Sequence, residues 1–180
     1  MIIRHIYKAL FIICLLSNVC GAEQVRFSQA PLKTYNEKLS LNLMMTNNDI
    51  GTGYYSLNEK GILDGPFQIE ADRSGYDKQV EATYSFATAV AGNYKDGKKD
   101  GRWKYRYVYN DGVDLYEKLK IEIDYKNNKC IRSSFEGTIG YTMPKTRHEF
   151  ENQQYCTPEA IRNRAWEIWS VEFEKTNKSK

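Results

Sequence analysis

The chain has 180 residues, of which 41% are hydrophobic and 27% charged, with a formal net charge of +3. That length suits a single domain that can bury about 70% of its unfolded surface. A charge this small gives no reason to expect a polyanionic partner.

Residues 1–22, MIIRHIYKALFIICLLSNVCGA, read as a secretory signal peptide. Cationic Arg4 and Lys8 precede the apolar run Ala9 to Leu16, and small residues precede Glu23. The run is far short of the ~20 residues needed to cross a bilayer. Cleavage after Ala22 leaves 158 residues and lowers the charge from +3 to +1, because Arg4 and Lys8 leave with the leader. Periplasmic or secreted location is the expectation. Cys20 offers a second fate, as an acylated lipoprotein cysteine, although Ser17, Asn18 and Val19 match the leucine–small–small pattern poorly. A membrane is an expected partner only in that case.

Of the four cysteines, Cys130 and Cys156 remain after the leader. In an exported chain they most simply form one disulfide, two free thiols being the alternative. A metal centre needs three or four ligands, and these cysteines have no evident companions, so neither metal nor cofactor is expected.

In chain order, Leu39 to Leu43 alternates apolar and polar residues with the period of a half-buried strand. Phe67, Ile69 and Ala71 mark a second strand, and Val80, Ala82, Tyr84 and Phe86 a third. Trp103 to Tyr109 and Leu119 to Tyr125 follow, then Ile131, Phe135, Ile139 and Tyr141. Turn-forming groups separate these runs at 58–61, 95–97, 110–112 and 126–129. After Cys156 the period changes. Thr157 can cap a helix begun by Pro158, with Ile161, Ala165, Ile168 and Trp169 on one stripe. The predicted fold is mainly β: an antiparallel meander over 23–156, a C-terminal α-helix over 157–175 packed on the sheet, and a polar tail at 176–180.

GILDGPF (61–67) and GKKDGRW (97–103) share the pattern Gly-x-x-Asp-Gly-x-aromatic, and each follows a tyrosine and a turn, Tyr55 and Tyr94 respectively. Gly61, Gly65, Gly97 and Gly101 let the backbone reverse around them. Residues 113–137, with YKNNKCIRSSFEG, form a degenerate third copy that lacks the first glycine. On these motifs the chain resembles the MORN-repeat-variant family over a third to a half of its length. The resemblance implies stacked antiparallel hairpins serving as an interaction scaffold, and some related bacterial proteins carry an antitoxin label.

Trp103, Tyr105, Tyr107 and Tyr109 project from one face of their strand, with Lys104, Arg106 and Val108 on the other. This ladder reads first as packing within the sheet. If its face is open, Arg102, Trp103, Tyr105, Tyr107 and Tyr109 become the binding residues. Lys98, Lys99 and Arg102 lie near a turn and read as solvated cations. Beyond the leader, His148 is the one histidine, and no second histidine follows it at metalloprotease spacing. A nucleophile elbow and a phosphate-binding loop are also missing. RWKYRYVY interleaves cations with aromatics as single-strand binders do, but export and near-neutral charge weigh against nucleic acid. The expectation is an exported, non-catalytic protein that binds a protein partner. An immunity or inhibitor protein that neutralises a toxin is one concrete form. A cell-envelope polymer or lipid module, and a carboxylate-dependent hydrolase, are the alternatives.

Overall fold

The computed structural model describes residues 23–31, 50–113, 115–140, 145–151 and 153–178. Its strands are β1 (Glu23–Pro31), β2 (Ile50–Leu57), β3 (Leu63–Asp77), β4 (Ala82–Lys95), β5 (Lys98–Asn110), β6 (Tyr116–Lys126), β7 (Lys129–Ile139) and β8 (Thr146–Phe150). A short 3-10 turn, Gln153–Tyr155, leads into helix α1 (Pro158–Lys178). The eight strands form one antiparallel sheet in chain order, the expected meander. The expected leader with Cys20, the expected strand at Leu39 to Leu43, and Tyr141 lie outside the described residues.

Two-residue turns close the β4–β5 and β6–β7 hairpins. Asp96 and Gly97 have φ of 49° and 75°, and Asn127 and Asn128 have 52° and 65°. Positive φ at both central residues matches the right-handed twist of the flanking strands. Asn128 thus adopts, without being glycine, the conformation that Gly97 provides in the preceding copy. The second glycine of each motif, Gly65 at φ 102° and Gly101 at φ 69°, marks a bulge where the ladder shifts register.

Three expected boundaries differ. Val80 and Glu81 belong to the β3–β4 turn, Glu81 at φ 53°, and the strand instead continues through ATAVAGNYK to Lys95. Ile131 shares sequence parity with Phe135, yet it is exposed, because a register shift beside Asp124 and Tyr125 leaves it without a ladder partner. The helix continues past 175 to Lys178, since neither glycine nor proline follows Pro158 to stop it. The strands β1, β2 and β8 were not among the expected ones. Glycines interrupt the alternation of β2, and β8 has only five residues.

The core lies on one face of the sheet, here the inner face. Phe67, Ile69, Val90, Trp103, Leu119, Ile121, Ile123 and Phe135 are buried there, and Ile161, Ala165 and Trp169 of α1 join them. Thr157 caps the helix as expected, its Oγ1 accepting from the Ala160 amide at 3.2 Å. The Cys130–Cys156 disulfide, with Cα atoms 5.9 Å apart, ties the approach to α1 to the start of β7. Such a bond suits an oxidising, extracellular type of compartment. Among the described residues, no helix is long and apolar enough to cross a membrane.

Candidate functional site

Backbone geometry makes the repeat explicit. The Gly97 amide donates to the Leu63 carbonyl at 2.7 Å, and the Asn128 amide donates to the Lys99 carbonyl at 2.9 Å. Tyr94 stands across from Lys99, and Tyr125 across from Cys130. Leu63, Lys99 and Cys130 are therefore equivalent positions of successive hairpins. The first holds a leucine, the third holds half of the disulfide, and the middle one holds a cation.

The aromatic ladder is core, as its first reading has it, so the contact surface expected of an open face does not form. Trp103 is 0% exposed, Tyr105 4% and Tyr107 7%, while Tyr109 is half-buried against the same cluster. Trp103 stacks on Phe67 with ring centroids 5.6 Å apart and meets Tyr94 edge-on at 5.0 Å. Arg102 points to the opposite, outer face and binds Asp124 at 2.9 Å and Glu122 at 3.4 Å. The five residues thus divide between two faces of the sheet and cannot meet one partner together. Alternation put the four aromatics on one side, and the side chosen is the one the sheet buries.

Lys99 corrects an expectation. It is not a solvated turn residue: its exposure is 9%, and its ammonium sits over the rings of Trp103 (4.8 Å) and Tyr125 (5.5 Å). Burial lowers its pKa to about 8. The same burial raises the phenols of Tyr94, Tyr105 and Tyr125. The Tyr125 hydroxyl donates to the Cys156 carbonyl at 3.2 Å, so one of the two rings under Lys99 is joined to the disulfide segment. The signal was present in the repeat, because GILDGPF and GKKDGRW align Lys99 with Leu63.

A second charged group sits deeper. Glu117 is fully buried and accepts two bonds from Arg162 of α1, at 2.9 and 2.7 Å. Arg162 also lies over the Tyr107 ring at 4.6 Å. This two-pronged pair raises the Arg162 pKa through the Glu117 bond and pins α1 to β6.

The outer face is built of cross-strand rows. Gln68, Ala91, Lys104 and Glu122 lie in one register, and Glu70, Ala89, Arg106 and Lys120 in the next. The alanines floor a depression of 290 Å³ between the flanking charged side chains. Lys104, Arg106 and Lys120 are exposed, and none has a carboxylate within 4.0 Å among the described residues. Nearby, Asp124 bridges Arg102 and Arg132, and the Arg102 bond holds its carboxyl below the ordinary range.

His148 stacks on Phe135 with centroids 5.4 Å apart. Among the described residues, no three metal-ligating side chains converge. Comparison of the chain with protein-family models, curated proteins and solved structures returned no match.

Proposed function

We propose that this is an exported protein that works by binding an acidic surface of a protein partner through the outer face of its sheet. The observation that carries this reading is the set of exposed cations Lys104, Arg106 and Lys120, none within 4.0 Å of a carboxylate among the described residues, beside a floor of alanine methyl groups. Backbone hydrogen bonds on both sides hold β4, β5 and β6, so the strands that carry the cations need no ordering on binding. Exposed cations aligned in this way favour fast, salt-sensitive association with an acidic protein. The internal hairpin repeat and its resemblance to the MORN-repeat-variant scaffolds support the same reading. An immunity or inhibitor protein that covers a toxin is the form it would take, in the periplasm or outside the cell.

The carboxylate-hydrolase reading has less support. The neighbouring acids Glu122 and Asp124 share Arg102, and Asp124 is held ionised, which suits an ion-pair network better than a general acid. Capture from the host envelope fraction tests the proposal, using the tagged protein and its Lys104→Glu/Arg106→Glu variant. A stoichiometric protein retained by the wild type and lost by the folded variant supports it. Equal retention by both removes the outer face from the binding site. Recovery of envelope polymer or lipid alone transfers the lead to an envelope-binding module.

A further inference from the structure

The inner face opens at the hairpin end that holds Lys99, and this site stands independently of the outer surface. A pocket of 470 Å³ lies over Lys99 and Tyr125, walled on one side by Cys130 and Cys156. Lys129, Asn128 and Gln153 complete its polar rim, and among the described residues no acidic side chain lines it. Among the described residues, no carboxylate approaches the Lys99 ammonium within 4.0 Å.

Buried cations are ordinarily paired, because desolvating a lone charge is costly. Two aromatic faces offset part of that cost for Lys99 and leave its charge unneutralised. Nor does the hairpin need a cation here. The first copy closes with Leu63 at the same position, making the same backbone bond to the next turn. A lysine placed nine-tenths buried at an apolar repeat position, facing a pocket without acids among the described residues, has there no anion to match it.

We propose that this pocket binds a carboxylate, with Lys99 as its charge partner and the side-chain amides of Asn128 and Gln153 as neutral donors. The Asn128 side-chain oxygen already accepts from the Lys99 amide, which leaves its NH₂ group to donate. Among the described residues of the pocket, Lys99 is the one buried ammonium, while Lys129 on the rim is exposed and solvated, so the charge to be matched inside the pocket is a single one, which a carboxylate supplies. The carboxylate comes either from a free small acid or from the chain end of a protein. Occupancy favours the charged lysine and raises its titration midpoint.

NMR titration of the lysine side-chain signals in the disulfide-bonded protein tests this. The additions are acetate, acetyl-triglycine, acetyl-triglycine amide and inorganic phosphate. At least one of the two acids is expected to move the Lys99 midpoint upward from about 8, while the amide leaves it unchanged. Affinity for that acid falls about tenfold per pH unit above the free-protein midpoint, as the lysine loses its proton. Lys99→Leu, which copies the first hairpin and so keeps the fold, loses at least about tenfold in affinity, matching loss of a charge-assisted contact. Response to both acids assigns the site to free carboxylates. Response to acetyl-triglycine alone assigns it to a protein chain end. The proposal is overturned if neither acid moves the midpoint, if the amide moves it equally, if phosphate binds more tightly than either acid, or if the leucine variant binds like the wild type.

Discussion

Trp103 lies flat against Gly92 on the neighbouring strand: a Cβ built on that glycine would sit 2.3 Å from Cδ2 of the indole and 2.4 Å from Cε2. Gly92 stands directly across from Phe67, and the missing side chain lets Trp103 of β5 reach over β4 to stack on Phe67 of β3. The indole N–H then finds the Asn93 carbonyl at 3.1 Å. Gly92→Ala is therefore expected to destabilise the fold by about 1–3 kcal/mol, the ordinary cost of overpacking a filled core. Urea unfolding should show a lower midpoint with an unchanged slope. An unaltered midpoint would mean that the indole is free to move away.

Removing one member of the Glu117–Arg162 pair strands the other. Arg162→Met leaves a fully buried carboxylate without its two bonds and should cost about 3–5 kcal/mol. The double variant Glu117→Met/Arg162→Met should recover much of that loss, because both desolvated charges are then gone. Chemical denaturation of the two single variants and the double variant measures the coupling. Simple additivity of the two losses would contradict a direct pair.

Lys99 makes stability depend on pH in a direction that can be checked. Its folded pKa of about 8 lies below the unfolded lysine value. From that pH up to about 10.4 the unfolded chain holds a proton the folded chain has released, so stability rises with pH. Above about pH 10 the buried tyrosines Tyr94, Tyr105 and Tyr125 reverse the trend, since the folded state keeps protons that the unfolded chain loses. Lys99→Leu should raise stability at neutral pH by up to about 3 kcal/mol and flatten the alkaline rise. Thermal melts from neutral pH to pH 10 distinguish the two proteins.

The disulfide closes a separation of 26 residues that contains β8 and the approach to α1. In the chain-entropy account its loss in Cys130→Ser/Cys156→Ser costs about 3.5 kcal/mol. Amide exchange should quicken first at residues 153–162, where the bond holds the start of the helix. Reduction should also weaken binding of whichever carboxylate responds at Lys99, because the cysteines wall that pocket.

Much of the sheet is legible in particular runs. Leu119 to Tyr125 and Phe67 to Ala71 alternate because each strand has one buried and one wet face. The start of α1 is equally local, since Thr157 and Pro158 satisfy and pre-set the first turn without help from elsewhere. Alternation misplaces Val80 and Ile131 because a turn and a bulge interrupt the period, and a bulge exists only relative to the partner strand. Lys99 escapes local reading for a related reason. Two glycines and three cations suggest a solvated loop, whereas comparison with Leu63 shows an inward position.

The chain by itself determined the meander, the helix, the repeat and the cysteine pair, because alternation, capping, turn chemistry and counting are local or nearly so. Tertiary structure alone decided which face became core. A strand pattern separates two faces without saying which is covered, and only the packing of α1 and the neighbouring strands buries Trp103, Tyr105 and Tyr107. It also brought Lys99 under Trp103 and Tyr125 and joined Glu117 to Arg162 across 45 residues. Charges at such distances in the chain acquire partners, or lack them, only when folding places them in the same low-dielectric space.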